Sequence, residues 1–218
     1  MKHGPELLAR APGLDVWRFS FAQPPGELAR LLSDDERAIA ARFASAAHRD
    51  AYLVQHATVR VLAARYLAGA SDPAHIAFER GPHGKPRLRG AGDLEFNLSH
   101  CNDVALVAFA RGIAIGIDIE RVDADLDVRA LGRIVLAPNE AALGADRRGF
   151  LRVWCRKEAC LKATGVGLLD DLTAVSVASD RVDVTGELVH VQDLDVGAEH
   201  AAAIATSRPV VLELAATS

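Results

Sequence analysis

Two apolar runs, residues 104–110 (VALVAFA) and 113–119 (IAIGIDI), are separated only by Arg111-Gly112. Runs of this length read as strands and the Arg-Gly break as a turn, so a β-hairpin is expected at the centre of the chain. Upstream, residues 14–20 (LDVWRFS) carry a partly alternating strand pattern that ends at Pro24-Pro25-Gly26. Ser33 stands three before Glu36, the spacing of a capping box, with Asp34 and Asp35 at the positive end of the helix it begins. The Ala-rich helical pattern continues to about residue 68 with a break near Ser45, and Gly69 and Pro73 close it. The Gly- and Pro-rich loop at 81–93 reads as turns, followed by a short strand at 94–97. Downstream, helices are expected at 127–135, from Pro138 and Glu140, and strongly at 150–163 with Gly165 as the stop. Strand patterns follow at 173–178, 187–191, 201–206 and 210–214. Helices before strands, twice, predict an α+β chain of two lobes, 1–111 and 112–218, packed closely because no low-complexity linker divides them.

Composition narrows what such a chain does. Its 218 residues, half of them hydrophobic, suffice for one good core or two small ones. No run of 18 apolar residues exists, and Asp15, Arg18 and Glu27 interrupt the stretch where an export signal needs apolar residues, so neither membrane insertion nor export is expected and the location is read as cytoplasmic. Cys101, Cys155 and Cys160 are odd in number and at no metal-ligand spacing, which reads as three reduced thiols used for packing. The net charge of −4, split as +2 over 1–111 and −6 over 112–218, argues against nucleic acid as a partner; an anionic substrate has to meet a local basic cluster instead. Only Lys2, Lys85, Lys157 and Lys162 among the 25 basic residues are lysines, so a lysine here marks a place where a compact ammonium is needed and a guanidinium does not serve. Walker, dinucleotide-binding, H-E-x-x-H and Cys/His zinc motifs are all missing, which removes P-loop, nicotinamide and zinc-hydrolase chemistry.

Four segments carry candidate chemistry. Asp118 and Glu120 lie at i and i+2 on a strand, where a period of two points both to one face. Two converging carboxylates are unfavourable unless solvated or neutralised, and a divalent cation is the usual neutraliser; an exposed strand face is the alternative. Trp154, Glu158 and Lys162 form one stripe of a helix at i, i+4 and i+8, although Glu158 and Lys162 also have the order of a simple surface ion pair. Ser99 and His100 place a hydroxyl beside an imidazole, which suits either a capped turn or a phosphate. Lys85, in the Gly/Pro loop, is either a cation reaching for phosphate or a solvated loop lysine.

Taken together, GKP at 84–86, FNLSH at 96–100, GIDIE at 116–120 and WCRKEACLKATGVGL at 154–168 resemble the 4'-phosphopantetheinyl transferases of the surfactin-synthetase-activating (Sfp) type. The resemblance implies two similar α/β lobes in pseudo-twofold arrangement with the active site between them. It also implies transfer of the phosphopantetheine arm of coenzyme A to a serine of acyl or peptidyl carrier protein domains, releasing adenosine 3',5'-bisphosphate. By similarity Asp118, Glu120 and Glu158 hold Mg²⁺, with Mn²⁺ as an option; Glu158 is the base for the carrier serine, and Lys162 serves the departing phosphate. Lys85, Ser99 and His100 match phosphate contacts to coenzyme A. The sequence departs from the family in the stretch SDDERAIAARF, which offers Glu36 and Ile39 where lysines face the 3'-phosphate, and Arg37, Arg42 or Arg49 is the replacement charge. Arg129 and Arg133, with Leu126, Val128, Leu131 and Ile134, are read as a carrier-docking helix or an ordinary amphipathic one. A monomer is expected, since two lobes already form the cleft. The competing readings are a metal-dependent hydrolase of coenzyme A or nucleotide pyrophosphates, and a non-catalytic module that binds carrier proteins.

Overall fold

The computed structural model describes residues 4–67, 72–81, 84–122, 125–167, 169 and 171–215. The expected helix stop at Gly69 lies outside the described residues. The chain runs β1 (Glu6–Ala11), β2 (Leu14–Ser20), α1 (Asp34–Ala40), α2 (Ala46–Ala63), β3 (Phe78–Arg80), β4 (Pro86–Leu88), β5 (Leu94–Cys101), β6 (Val104–Arg111), β7 (Ile115–Arg121), α3 (Val128–Val135), α4 (Arg147–Thr164), β8 (Arg181–Val184), β9 (Glu187–Asp193), β10 (His200–Thr206) and β11 (Glu213–Leu214). Among the described residues, one sheet has the order β11-β1-β2-β6-β5 and a second the order β7-β10-β9-β8; β3 and β4 form a separate ribbon.

The capping box forms as expected, with the Ser33 hydroxyl accepting from the Glu36 N–H and the Glu36 carboxylate from the Ser33 N–H. The break near Ser45 is also present, because Ser45 is the N-cap of α2. The hairpin expected from the two apolar runs does not form. β6 pairs with β2 and β5, whereas β7 pairs with β10 in the other sheet. The runs instead stack across the space between the sheets, where Leu106, Ala108 and Ala110 share one core with Ile115, Ile117 and Ile119. Runs without polar alternation need cover on both faces, and stacking supplies it where a hairpin with one open face cannot. The hairpin partner of β6 is β5, joined through Asn102 at φ 49°.

Other expectations shift locally. Residues 173–178 contain no strand: a 3-10 turn at Leu172–Ala174 precedes Val175 and Val177, whose carbonyls accept from Lys157 and Arg156 rather than from a ladder. Pro138–Glu140 is a single 3-10 turn, and the helix waits for Asp146, which caps α4 by accepting from the Gly149 N–H at 2.7 Å. Gly165 ends α4 at φ 70°, the left-handed conformation expected of it. The strand expected at 94–97 runs on to Cys101, β11 is shorter than expected, β4 lies within the loop read as turns, and no strand was expected at β1, β3 or β8.

Four layers result. α2 packs Val54, Val59 and Leu62 against the outer face of the first sheet with Phe19, Phe96 and Phe109. The two sheets meet at the isoleucine core, and α4 covers the outer face of the second sheet through Val153, Cys155, Ala159 and Ala163 against Ala201, Ala203 and Ala205. No helix among the described residues is long and apolar enough to cross a membrane.

Candidate active site

The site grows from β7. Its isoleucines face the inter-sheet core, so the alternate residues Gly116, Asp118 and Glu120 face α4, as the period of two requires. Asp118 is not on an exposed strand face: it is 4% exposed. Gly116 is what brings the helix so close. A Cβ there would lie 2.1 Å from the Ala159 carbonyl oxygen and 2.4 Å from the Ala163 nitrogen, both main-chain atoms of α4. With small residues at Ala203 and Ala205 on the neighbouring strand, α4 settles low on the sheet and delivers Glu158 and Lys162 toward Asp118.

Lys162 does not form the helical pair with Glu158. Its Nζ donates to Asp118 Oδ1 at 2.6 Å, to Ser99 Oγ at 3.2 Å and to the Ile117 carbonyl at 3.2 Å. Ser99 Oγ in turn donates to Asp118 Oδ1 at 2.7 Å. A compact ammonium can direct three protons to three such acceptors, which answers the question raised by the scarcity of lysines. Lys85 is likewise no solvated loop residue: its Nζ donates to the Ile115 carbonyl at 2.9 Å and pairs with Glu95 at 3.5 Å. Burial lowers its pKa, against the opposing pull of Glu95. Lys85, Asn97, Glu158 and Lys162 line one cleft of about 320 Å³, with Gly165 at its rim.

The carboxylates feel one another. Burial raises the pKa of Glu120, and the Asp118 charge adds to the rise; Lys162 and a hydrogen bond with Trp154 oppose it. Burial and then Asp118 also raise Glu158, with Lys162 again opposing. Asp118 Oδ2 is buried and accepts no hydrogen bond. A buried acceptor without a donor, beside two acids held above their ordinary range, is short of positive charge, and hard oxygen donors of this kind fit Mg²⁺ or Mn²⁺. Among the described residues the three side chains do not yet close into a ready-made group of metal ligands. Asp118, Glu120 and Glu158 are carboxylates of the chemistry that such a cation accepts.

Strand alternation separates Ser99 from His100. Ser99 faces β7, while His100 is exposed on the other side of β5 with its ring edge-on to Phe21 at 5.7 Å. Burial first, then Lys162, lowers the His100 pKa. Arg49 lies in the first turn of α2, half-exposed and paired with Asp50 at 3.5 Å, away from the cleft lining. Arg37 is spent on Asp34 and the Leu32 carbonyl. Glu36 is internal: Arg60 donates to it at 2.7 Å and 3.0 Å and His56 lies at 3.1 Å. All three cysteines are free and buried, and burial pushes the Cys101 and Cys160 thiols up to about 12, which suits packing rather than reactivity.

Two residues of the site lie inside the motifs FNLSH and GIDIE without having been given a role there. Gly116 has a detectable signal, since a glycine inside an isoleucine-rich strand marks a close backbone approach. Asn97, 5% exposed, accepts the Ile117 N–H at 2.8 Å. Its only trace in the sequence is an amide amid apolar strand residues.

The sequence profile of the 4'-phosphopantetheinyl transferase superfamily matches residues 114–205, the segment that holds β7, α4 and β10. The 4'-phosphopantetheinyl transferase HetI of Nostoc sp. is 33% identical over 176 residues, covering 75% of this chain and 73% of HetI. The chain belongs to the 4'-phosphopantetheinyl transferase superfamily. A 4'-phosphopantetheinyl transferase of Bacillus subtilis is 32% identical over 138 residues (60% of this chain, 58% of the relative), and a phosphopantetheinyl transferase of Thraustochytrium sp. is 30% identical over 169 (69% and 58%). Phosphopantetheine transfer from coenzyme A to carrier proteins is accordingly the activity of this transferase, in preference to pyrophosphate hydrolysis or carrier binding alone.

Proposed function

We propose that this transferase is of the Sfp type and moves the phosphopantetheine arm of coenzyme A onto a serine of acyl or peptidyl carrier domains, with Asp118, Glu120 and Glu158 holding Mg²⁺ or Mn²⁺. The observation that carries the reading is the unpartnered, buried Oδ2 of Asp118 at the meeting of β7, β5 and α4. When bound, the cation neutralises charge on the pyrophosphate as its bond breaks. Glu158 accepts the proton of the carrier serine, directly or through a water. The serine oxygen forms the new bond to the phosphorus that carries the arm, and the bridging P–O bond breaks with its electron pair leaving on adenosine 3',5'-bisphosphate. Lys162 presents its charge to that departing phosphate. Lys85 holds phosphate oxygens from the cleft side, Ser99 holds Asp118 beside them with its donated proton, and His100 and Arg49 serve the more distant 3'-phosphate.

The same reading extends to architecture and setting. Two lobes meeting near residue 111 are supported by the change of sheet between β6 and β7, with β11 returning to pair with β1. A monomer belongs to the same proposal, and a cytoplasmic setting is supported by three free, buried thiols. Carrier domains land on α3 and the turn before α4, where Ile134 and Leu143 are 65% and 52% exposed and Arg129 and Arg133 are exposed nearby.

The test is the intact mass of apo carrier proteins of several types after incubation with the enzyme, coenzyme A and Mg²⁺, with a parallel EDTA arm. A gain of one phosphopantetheine arm that needs the cation supports the reading. A gain indifferent to EDTA removes the metal, and coenzyme A consumed with the carriers unchanged replaces transfer by hydrolysis.

A further inference from the structure

Both strands that frame the site are edge strands. Among the described residues β5 ends the first sheet and β7 ends the second, and no ladder joins them. The outer edge of β7 therefore presents main-chain groups that no strand pairs, and side chains take the place of a partner strand. Lys85 donates to the Ile115 carbonyl, Lys162 donates to the Ile117 carbonyl, and Asn97 Oδ1 accepts the Ile117 N–H at 2.8 Å. Of these three, Asn97 alone belongs to β5.

We propose that Asn97 is a positioning residue: by accepting the Ile117 N–H it fixes the register of β5 against β7 and so places the Ser99 hydroxyl on Asp118. Asn97 and Ser99 are two apart on one face of β5, and Ile117 and Asp118 are consecutive on β7. The two contacts, at 2.8 Å and 2.7 Å, thus form adjacent rungs of one side-chain ladder between the sheets. A main-chain ladder would specify register by itself; without one, these rungs add to the packing between the sheets in opposing a slide of β5 along β7. Asn97 reaches the cleft lining, but its Oδ1 is committed to Ile117, and through that contact it acts on Ser99 and Asp118. This rests on the transfer reading of the site for its kinetic test, and a second readout frees it from that dependence.

The kinetic test is a double-mutant cycle on kcat/KM for carrier modification, with Ser99→Ala measured in wild-type, Asn97→Ala and Asn97→Asp backgrounds. Asp keeps an oxygen where the Ile117 N–H needs one. The expectation is that Ser99→Ala costs ~10-fold or more in the wild type and in Asn97→Asp, and less than ~3-fold in Asn97→Ala, because a displaced hydroxyl has little left to lose. An equal cost in all three backgrounds overturns the proposal. Independently of any transfer, the Ile117 amide should exchange slowly with solvent in the wild type and in Asn97→Asp and ~10-fold faster or more in Asn97→Ala, read by NMR. Unchanged protection in Asn97→Ala overturns the proposal even if the enzyme is active. A wild type that modifies no carrier removes the transfer reading and leaves the exchange result to decide the role of Asn97. If Asn97→Ala does not fold, Asn97→Ser, whose hydroxyl is too short to reach Ile117, takes its place.

Discussion

Substituting Gly116 by alanine adds one methyl group between β7 and α4, and the structure gives its consequence a size. The new Cβ would stand 2.1 Å from the Ala159 carbonyl oxygen, 2.4 Å from the Ala163 nitrogen and 2.8 Å from the Lys162 carbonyl carbon. All three are main-chain atoms, so no flexible side chain can swing aside. Restoring a separation near 3 Å requires α4 to retreat by about 1 Å, which places the change among overpacked cores that lose about 1–3 kcal/mol. The retreat carries Glu158 and Lys162 away from Asp118, and the 2.6 Å contact from Lys162 Nζ is stretched past a useful hydrogen bond unless the side chain re-extends. A misplacement of this order costs about 100-fold in rate when it falls on reacting groups. Gly116→Ala should therefore fold with wild-type circular dichroism, melt a few degrees lower, and transfer the arm about 100-fold more slowly in the intact-mass assay. Wild-type turnover together with a lowered melting point would refute the claim that the helix-to-strand distance sets the chemistry. Wild-type values of both would refute the close approach itself.

Lys162→Arg should lower kcat/KM by about 10- to 100-fold, because a planar guanidinium cannot direct one nitrogen to Ser99, Ile117 and Asp118 together; full activity would mean that positive charge alone suffices. Burial alone would raise Glu36, but hydrogen bonds from His56, the Ser33 N–H and Arg60, with the Arg60 charge, bring it down to about 2. That interaction contributes in full above the ordinary carboxylate value of 4.5; as pH falls from 4.5 through about 2 the unfolded chain gains its proton first and the contribution is lost, up to about 3 kcal/mol. Urea unfolding at several pH values between 6 and 2.5 should trace this loss, with a shallower slope for Glu36→Gln. Lys157 and Glu140, 1% and 0% exposed, pair at 2.9 Å. Lys157→Met should cost about 3 kcal/mol and lower the melting point by about 10 °C, while kcat and KM of the folded enzyme change little. A melting point within a degree of wild type would show that pair to be dispensable.

The lysines illustrate how far a sequence carries. Their rarity marks them as unusual, and the three that are described each direct an ammonium at oxygen acceptors. Rarity does not say which of them serves chemistry. Lys157 and Glu158 are neighbours in the chain, yet a helix turns successive residues about 100° apart, so one enters the core to meet Glu140 and the other faces the cleft. The same limit applies to Ser99 and His100, adjacent in sequence and sent to opposite faces by the strand.

Local patterns were legible wherever the deciding forces are local. The Ser33 box, the Ser45 break and the Gly165 stop each depend on groups within a few residues, and each appears where the sequence placed it. The pairing of the two apolar runs was not legible, because an all-apolar strand satisfies a hairpin neighbour and a stacked neighbour equally well and only the whole molecule's burial chooses between them.

From the sequence alone came the candidate side chains, Asp118 and Glu120 on one strand face and Glu158 and Lys162 on one helix stripe, and the family resemblance that the comparisons bear out at the level of the superfamily. Tertiary structure alone decided that Lys162 turns to Asp118 rather than to Glu158, that Gly116 lets α4 rest on β7, and that Asn97 reaches across two sheet edges to Ile117. Periodicity tells which residues share a face of one element. Which faces meet, and at what distance, is set by packing among residues 20 to 63 positions apart, and no local spacing encodes that.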